Sequence, residues 1–233
     1  NLEALSQYLS FDYVPAPHSI YEGISKLPAA HLLVLEKGEV KTRRYWKLSF
    51  EKPEHKPSFR KASQELGELL ADSVRMRLVS DVPLGAYLSG GLDSSLLAAF
   101  ASKHHPGRIR TFSIGYDESD YDEGKYAHEV ANHLNTDHLH FVFAQQAYED
   151  DWLKLIRLRD APLSIPHEIA LYHLSTQMKQ FVTVALSGEG ADELFGGYGR
   201  VLRSPMDWKK IANDGPTTTK LDSMWDPYKQ GCN

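Results

Sequence analysis

The spacing of apolar and polar positions changes character twice along this chain. Over residues 1–50 it is short and broken, which predicts strands and turns. Leu32-Leu33-Val34-Leu35 is an apolar run stopped by Glu36-Lys37-Gly38-Glu39, and Val40 to Trp46 suits the returning strand of a hairpin. Pro15-Ala16-Pro17 marks loop. Residues 51–57, Glu51-Lys52-Pro53-Glu54-His55-Lys56-Pro57, are charged and proline-bearing, the composition of a linker between domains. Ser58 is then placed to cap a helix from Phe59 to Val79, in which Leu66, Leu69, Leu70, Ala71 and Val74 recur at helical spacing.

Beyond Pro83 the pattern alternates between strand and helix. Leu84 to Leu88 predicts a buried strand, and Asp93 to Lys103 a helix with Leu96, Leu97 and Phe100 inward. Ile109 to Ile114 predicts a strand, and Asp122 to Leu134 a helix with Tyr126, Val130 and Leu134 on one face. A strand over His138 to Phe143, a helix ending near Arg159, a loop over Ala161 to Pro166, a helix over His167 to Lys179 and a strand over Phe181 to Leu186 follow. This order implies an α/β fold: a mostly parallel sheet with helices on both faces. A small β-rich N-terminal piece precedes it. The expected domains are residues 1–50, a linker at 51–57, and a main domain over 58–233. From Arg203 the apolar signal fades, so the main domain is expected to be truncated or gapped at its C-terminal end.

Composition narrows the function classes. The chain has 233 residues and a net charge of −5 with no block of lysine and arginine, so generic binding to a nucleic-acid backbone is not expected. Its single cysteine, Cys232, excludes a disulfide framework and a cysteine zinc cluster. No apolar run reaches the roughly 18 residues of a membrane span, and no secretory leader pattern stands at the front. A cytoplasmic protein is expected.

The run Ser89-Gly90-Gly91-Leu92-Asp93-Ser94-Ser95 joins a predicted strand to a predicted helix. Ligands bind at such carboxyl ends of strands in open α/β sheets. Two glycines let the backbone approach an anion, and the amides opening the next helix favour negative charge. Ser89, Ser94 and Ser95 add hydroxyl donors. Asp93, itself negative, fits a phosphate cradle if Mg²⁺ bridges it to the phosphates. A glycine-rich cap without a ligand is the plain alternative. However, a five-position match to S-G-G-x-D-S arises by chance in only about one chain in several thousand at ordinary residue abundance. The Walker pattern is absent, so this is a different phosphate loop.

A second run, Leu186-Ser187-Gly188-Glu189-Gly190-Ala191-Asp192-Glu193-Leu194-Phe195-Gly196-Gly197-Tyr198, also follows a predicted strand. Acids in a first helical turn are favoured by the helix dipole alone, but that leaves the glycines unexplained. A site that holds Mg²⁺ and takes a proton from an amine needs carboxylates there.

The first run resembles the pyrophosphate loop of the N-type ATP pyrophosphatases. The second resembles the signature of asparagine synthetases and the related β-lactam synthetases, with Thr111-Phe112-Ser113-Ile114-Gly115-Tyr116 between the two. Tyr8 to Pro15 and Ile24 to Pro28 look like the last part of the family's glutaminase domain. The resemblance covers nearly all of residues 1–200. It implies an adenine nucleotide alpha hydrolase-like fold and an ATP-dependent, amide-forming synthetase. A carboxylate, with the aspartate side chain the first choice, would be adenylated. Ammonia from glutamine would then displace AMP.

By position, the resemblance assigns Leu88 and Ile114 to the adenosine, with Ser187 and Gly188 beside it. Ser89, Gly90, Gly91 and Ser94, with Ser95, fall to the phosphates, and Asp93 and Asp192 to Mg²⁺. Glu189 takes the general-base role, and Asp122 and Glu123 match a further acidic pair. ATP and Mg²⁺ are the implied cofactors, and a homodimer is admitted. The family's N-terminal nucleophilic cysteine has no counterpart at Asn1. Its downstream lysine is not matched by Lys209 or Lys210. Two other readings stay open: a relative acting on another carboxylate or cyclising an internal amine, and a nucleotide-binding module without catalysis. His128, His133, His138 and His140 cluster in sequence; a metal site stays open, but their placement on a helix and a strand favours solvated or hydrogen-bonded rings.

Overall fold

A computed structural model describes residues 1–49, 56–116, 123–163, 165 and 167–199. Most of the expected linker, Asp122, Lys209, Lys210 and Cys232 lie outside the described residues. The chain divides into two compact units, one over Asn1–Leu186 and one beginning at Ser187.

The first unit opens on a helix, α1 (Leu2–Phe11), where strands and turns were expected. Local capping builds it. The Asn1 side chain accepts from the Ala4 amide at 3.1 Å, and Asp12, in the left-handed region, donates its N–H to Tyr8. Leu2 and Leu9 face solvent while Ala4 is buried, so the leucines draw no single apolar stripe. The expected hairpin follows as β1 (His31–Glu36) and β2 (Glu39–Arg44), antiparallel. Lys37 and Gly38 both take positive φ, 52° and 83°, the two-residue turn that matches strand twist.

Helix α2 (Phe59–Arg77) starts where Ser58 accepts from the Lys61 amide. Of its predicted inward positions only Val74 is buried; Leu69 is exposed. There follow β3 (Leu84–Tyr87), α3 (Leu92–His104), β4 (Arg110–Tyr116), α4 (Gly124–Leu134), β5 (Asp137–Phe143), α5 (Gln145–Arg159), α6 (His167–Met178) and β6 (Val184–Leu186). Four of these strands form one parallel sheet in the order β5-β4-β3-β6. The chain therefore builds outward from β3 through β4 to β5, then returns to add β6 on the other side of β3. The direction of winding reverses between β3 and β6, and that reversal is where open α/β sheets take ligands.

Alternation along the strands sorts side chains to two faces. Leu84, Ala86 and Leu186 pack with Val74 and Ala101 from α2 and α3, and Leu88 packs with Ala98, Ala127 and Ala131. On the other face Phe112 packs with Leu174 and Met178 of α6, joined by Tyr87, Ile114, Leu139 and Phe141. Helices thus cover both faces, as expected. The helix faces differ in detail. Small residues, Ala98 and Ala101 in α3, Ala127 and Ala131 in α4, make the closest contacts, while Leu96 and Tyr126 are largely exposed. Alanine at these points lets helix and sheet approach closely, which leaves the longer side chains toward the rim.

Farther along the sheet, α5 and α6 are clamped by Asp151. This carboxylate is 8% exposed, accepts from His173 Nδ1 at 2.8 Å and from Lys154 Nζ at 3.1 Å. Burial acts to raise its pKa, but the bonds from His173 and Lys154 outweigh it and hold Asp151 below the usual carboxylate value. Among the described residues no helix is long and apolar enough to cross a membrane.

Candidate functional site

The glycine-bearing loop leaves the carboxyl end of β3. The Leu88 amide donates to the Phe112 carbonyl at 2.8 Å, carrying the ladder one residue past the strand. Gly90 then turns with φ +85°, and a Cβ there would lie 2.5 Å from Tyr126 Cβ and 2.7 Å from the Ala127 amide. Only glycine lets the loop pass beneath the first turn of α4. Gly91 is the N-cap of α3 and offers no side chain to its amides, so the first turn is left open to an anion.

The two serines ending the loop face each other. Ser89 Oγ and Ser94 Oγ are 2.9 Å apart, the Ser89 amide donates to Ser94 Oγ at 3.2 Å, and the Gly91 amide donates to Ser89 Oγ at 3.2 Å. Asp93 stands exposed in the first turn of α3. Ser95 Oγ is buried with no hydrogen-bond partner. A buried hydroxyl without a partner, one turn past a glycine-bearing loop, is a candidate contact for a bound group.

Beside the loop a slot of about 100 Å³ is lined by Tyr87, Leu88, Ser89, Phe112, Ser113, Ile114, Glu123, Gly124 and Leu174. Leu88 and Ile114, which the resemblance assigned to the adenosine, both line this recess beside the glycine-bearing loop. Sequence reasoning did not find Tyr87, Phe112, Ser113, Gly124 or Leu174. Two of these, Phe112 and Ser113, sit on β4 on opposite faces, and Leu174 comes from α6. Only the sheet order brings them together.

The second unit is described by itself. Ser187 Oγ accepts from the Glu189 amide at 3.1 Å. The Ala191 amide donates to the Gly188 carbonyl at 3.2 Å across Glu189 and Gly190. Gly190 has φ 92° and ψ −4°, the conformation that the third position of a type II turn demands. The turn opens α7 (Ala191–Phe195), a helix of five residues closed by Gly196 at φ +73°. Asp192 accepts through its carbonyl from the amides of Gly196 and Gly197, and its carboxylate lies over Gly197, where any Cβ would overlap it. Tyr198 donates its hydroxyl to Glu193 at 2.8 Å. The acids are thus sorted: Glu193 is engaged, Asp192 is seated by a glycine, and Glu189 is exposed at the turn.

The four histidines meet the expectation of solvated or hydrogen-bonded rings, His128 through the Gly124 carbonyl. His138 and His140 are hydrogen-bonded, as expected, but α4 packs on β5 and brings His128 against both. His133 is exposed.

An open α/β sheet with helices on both faces and a glycine-bearing loop at its reversal point defines a doubly wound class of protein, in which ligands are taken at that point. Comparison with known proteins narrows this. The asparagine synthase family profile matches residues 65–226, and a glutamine amidotransferase domain profile matches residues 1–46. The chain belongs to the asparagine synthase family. It is 36% identical over 208 residues to asparagine synthetase [glutamine-hydrolyzing] 1 of Bacillus subtilis, covering 89% of this chain and 32% of that protein. It is 38% identical over 203 residues to a putative asparagine synthetase [glutamine-hydrolyzing] 2 of Methanocaldococcus jannaschii, covering 85% and 38%. The chain spans about a third of the length of these relatives. Among solved structures, an NH3-dependent NAD synthetase from Campylobacter jejuni is 19% identical with a TM-score of 0.42, over 58% of this chain and 60% of that one.

Proposed function

We infer that this chain carries the ATP-using part of a glutamine-dependent, amide-forming ligase, with the aspartate side chain as the first candidate acceptor. The observation that carries the reading is the uncapped glycine loop after β3, at the point where the sheet's winding reverses. Membership of the asparagine synthase family supports the reaction class.

In this reading a carboxylate oxygen attacks the α-phosphorus of ATP, and the bond to the β-phosphate oxygen breaks. Pyrophosphate leaves into the loop of Ser89, Gly90, Gly91 and Ser94, with the Ser95 hydroxyl turning to it as its missing partner. Leu88 and Ile114 hold the adenosine, and Ser187 and Gly188 are assigned beside it. Ammonia then attacks the acyl carbon, AMP departs with the carboxylate oxygen, and Glu189 accepts the proton released from nitrogen. Asp93 and Asp192 are each assigned to magnesium by the resemblance; a carboxylate suits that ion, which when bound would offset charge on the phosphates. Asp93 fits that role by its exposure beside the open amides of α3, and Asp192 by the glycine that fixes its side chain.

Residues 1–50 are assigned to the C-terminal part of a glutaminase domain, 51–57 to a linker and 58–233 to the synthetase domain. The amidotransferase match over 1–46 supports the first of these. Glutamine as nitrogen donor, a cytoplasmic location and a homodimer complete the proposal.

The test is pyrophosphate release by the full-length protein from ATP and Mg²⁺ across a panel of carboxylates. Release that depends on aspartate supports the reading. Release with another acid moves the acceptor within the family. ATP binding without release from any acid overturns catalysis.

A further inference from the structure

Three histidines that the proposed reaction does not use converge behind the slot. His138 and His140 stand two residues apart on β5 and so share a face, and His128 reaches them from α4. The His128 ring centroid lies 4.9 Å from that of His138 and 5.4 Å from that of His140, with interplanar angles of 83° and 64°. One ligating nitrogen from each ring lies within 4.8 Å of the other two.

Two contacts of these rings, Gly124 on His128 and Thr111 on His138, are of the kind that orients metal-binding imidazoles. His128 Nδ1 is 2.9 Å from the Gly124 carbonyl, which can only accept, so Nδ1 carries the proton and Nε2 keeps its lone pair. His138 Nδ1 is 2.9 Å from Thr111 Oγ1, a residue with no exposure that also bonds Thr136 Oγ1 at 2.8 Å. Ser113 Oγ lies 3.1 Å from His138 Nε2 and 2.7 Å from His140 Nδ1. A carbonyl or hydroxyl on the second nitrogen fixes ring orientation and tautomer in metal sites.

We propose that His128, His138 and His140 form a site for one late divalent transition-metal ion, with zinc as the reference occupant. Three imidazoles suit zinc, nickel or copper and disfavour magnesium, which takes oxygen. The site is therefore distinct from any magnesium at the phosphate loop. Tetrahedral zinc with nitrogen ligands at ~2.05 Å sets its ligands about 3.4 Å apart, so the widest pair must close by roughly 1.4 Å. His128 is exposed and can swing inward. On ligation His138 Nε2 and His140 Nδ1 would exchange their bonds to Ser113 for the ion, and the Ser113 hydroxyl or a water would supply the fourth position. The role is structural: the ion would pin α4 to β5, and Ser113 and Gly124, which contact the rings, also line the slot.

The test uses the full-length protein without a histidine tag, stripped by chelator and titrated with Co²⁺ and then Zn²⁺. One equivalent is expected to bind at micromolar or lower Kd, with visible absorption from Co²⁺ in a nitrogen-rich site and a rise in Tm with Zn²⁺. His128→Gln, at an exposed position, is expected to keep the apo Tm yet lose about 10- to 100-fold in affinity. His133→Gln, on the same helix and outside the triad, is expected to bind as wild type. No saturable binding tighter than about 100 μM, or unchanged binding in His128→Gln, overturns the proposal. Neither readout involves ATP or its turnover, so the reaction proposed above can fail without touching this one.

Discussion

Gly90 lies so close beneath Tyr126 that a single added carbon at Gly90 would sit 2.5 Å from Tyr126 Cβ. The glycine-bearing loop after β3 and the first turn of α4 are therefore one packed assembly. Gly90→Ala must strain a positive φ and push α4 away, a cost of about 2–5 kcal/mol in stability. ATP affinity should fall with it. Thermal melts and nucleotide titration of the variant check both, and an Ala variant that melts and binds as wild type would refute the packing.

Asp93 is exposed and makes none of the loop's internal hydrogen bonds. Asp93→Ala should leave Tm within about 1 °C of wild type, as expected of a surface change. Pyrophosphate release should drop about 100-fold or more, the scale on which removing one electrostatic partner of a transition state acts. Steady-state pyrophosphate assay beside a melt separates the two effects.

Glu189 is assigned to the second half-reaction only. Glu189→Gln should keep nucleotide binding and lower amide formation by about 10²–10⁴-fold, the usual contribution of a general base. Quantifying the amide product decides this, and wild-type amide formation in the Gln variant removes the role.

Leu88 is 1% exposed and belongs both to the core of α3 and α4 and to the wall of the slot. Leu88→Ala should cost about 2–5 kcal/mol through the cavity it leaves. It should also weaken ATP binding more than it weakens binding of inorganic pyrophosphate, because the slot, not the loop, is enlarged. Paired titrations with the two ligands measure the difference.

Asp151 gives a pH dependence of definite sign. Its folded pKa lies below its unfolded value, so above the ordinary carboxylate range the clamp on α5 and α6 contributes fully. That stability is lost as pH falls from about 4 through the depressed folded value. Asp151→Ala should cost about 1–3 kcal/mol at neutral pH by orphaning His173, and should flatten the acid limb of Tm against pH. A wild-type acid limb in the variant would show that other carboxylates govern it.

The strands and helices after Ser58 were legible because each is a local pattern: a cap, a 3.6-residue apolar period, or a short β-branched run bounded by turns. The loop after β3 was legible for the same reason, since its glycines, serines and aspartate are contiguous. Helix α1 was not, because its leucines point outward and only its caps define it. Nor was the slot, whose walls Tyr87, Phe112 and Leu174 belong to three elements joined by sheet order. The histidines mark the same boundary. Placing His128 on a helix and His138 and His140 on a strand was right. That three of the rings meet was not legible, because the meeting depends on α4 lying on β5.

Ser113 has one hydroxyl proton and two imidazoles to satisfy. If it gives that proton to His138, His140 must answer with an N–H of its own; if it gives it to His140, the demand reverses. The two rings are thus wired as opposites through a single oxygen. Because that oxygen also borders the slot, whatever enters there bargains for the same proton.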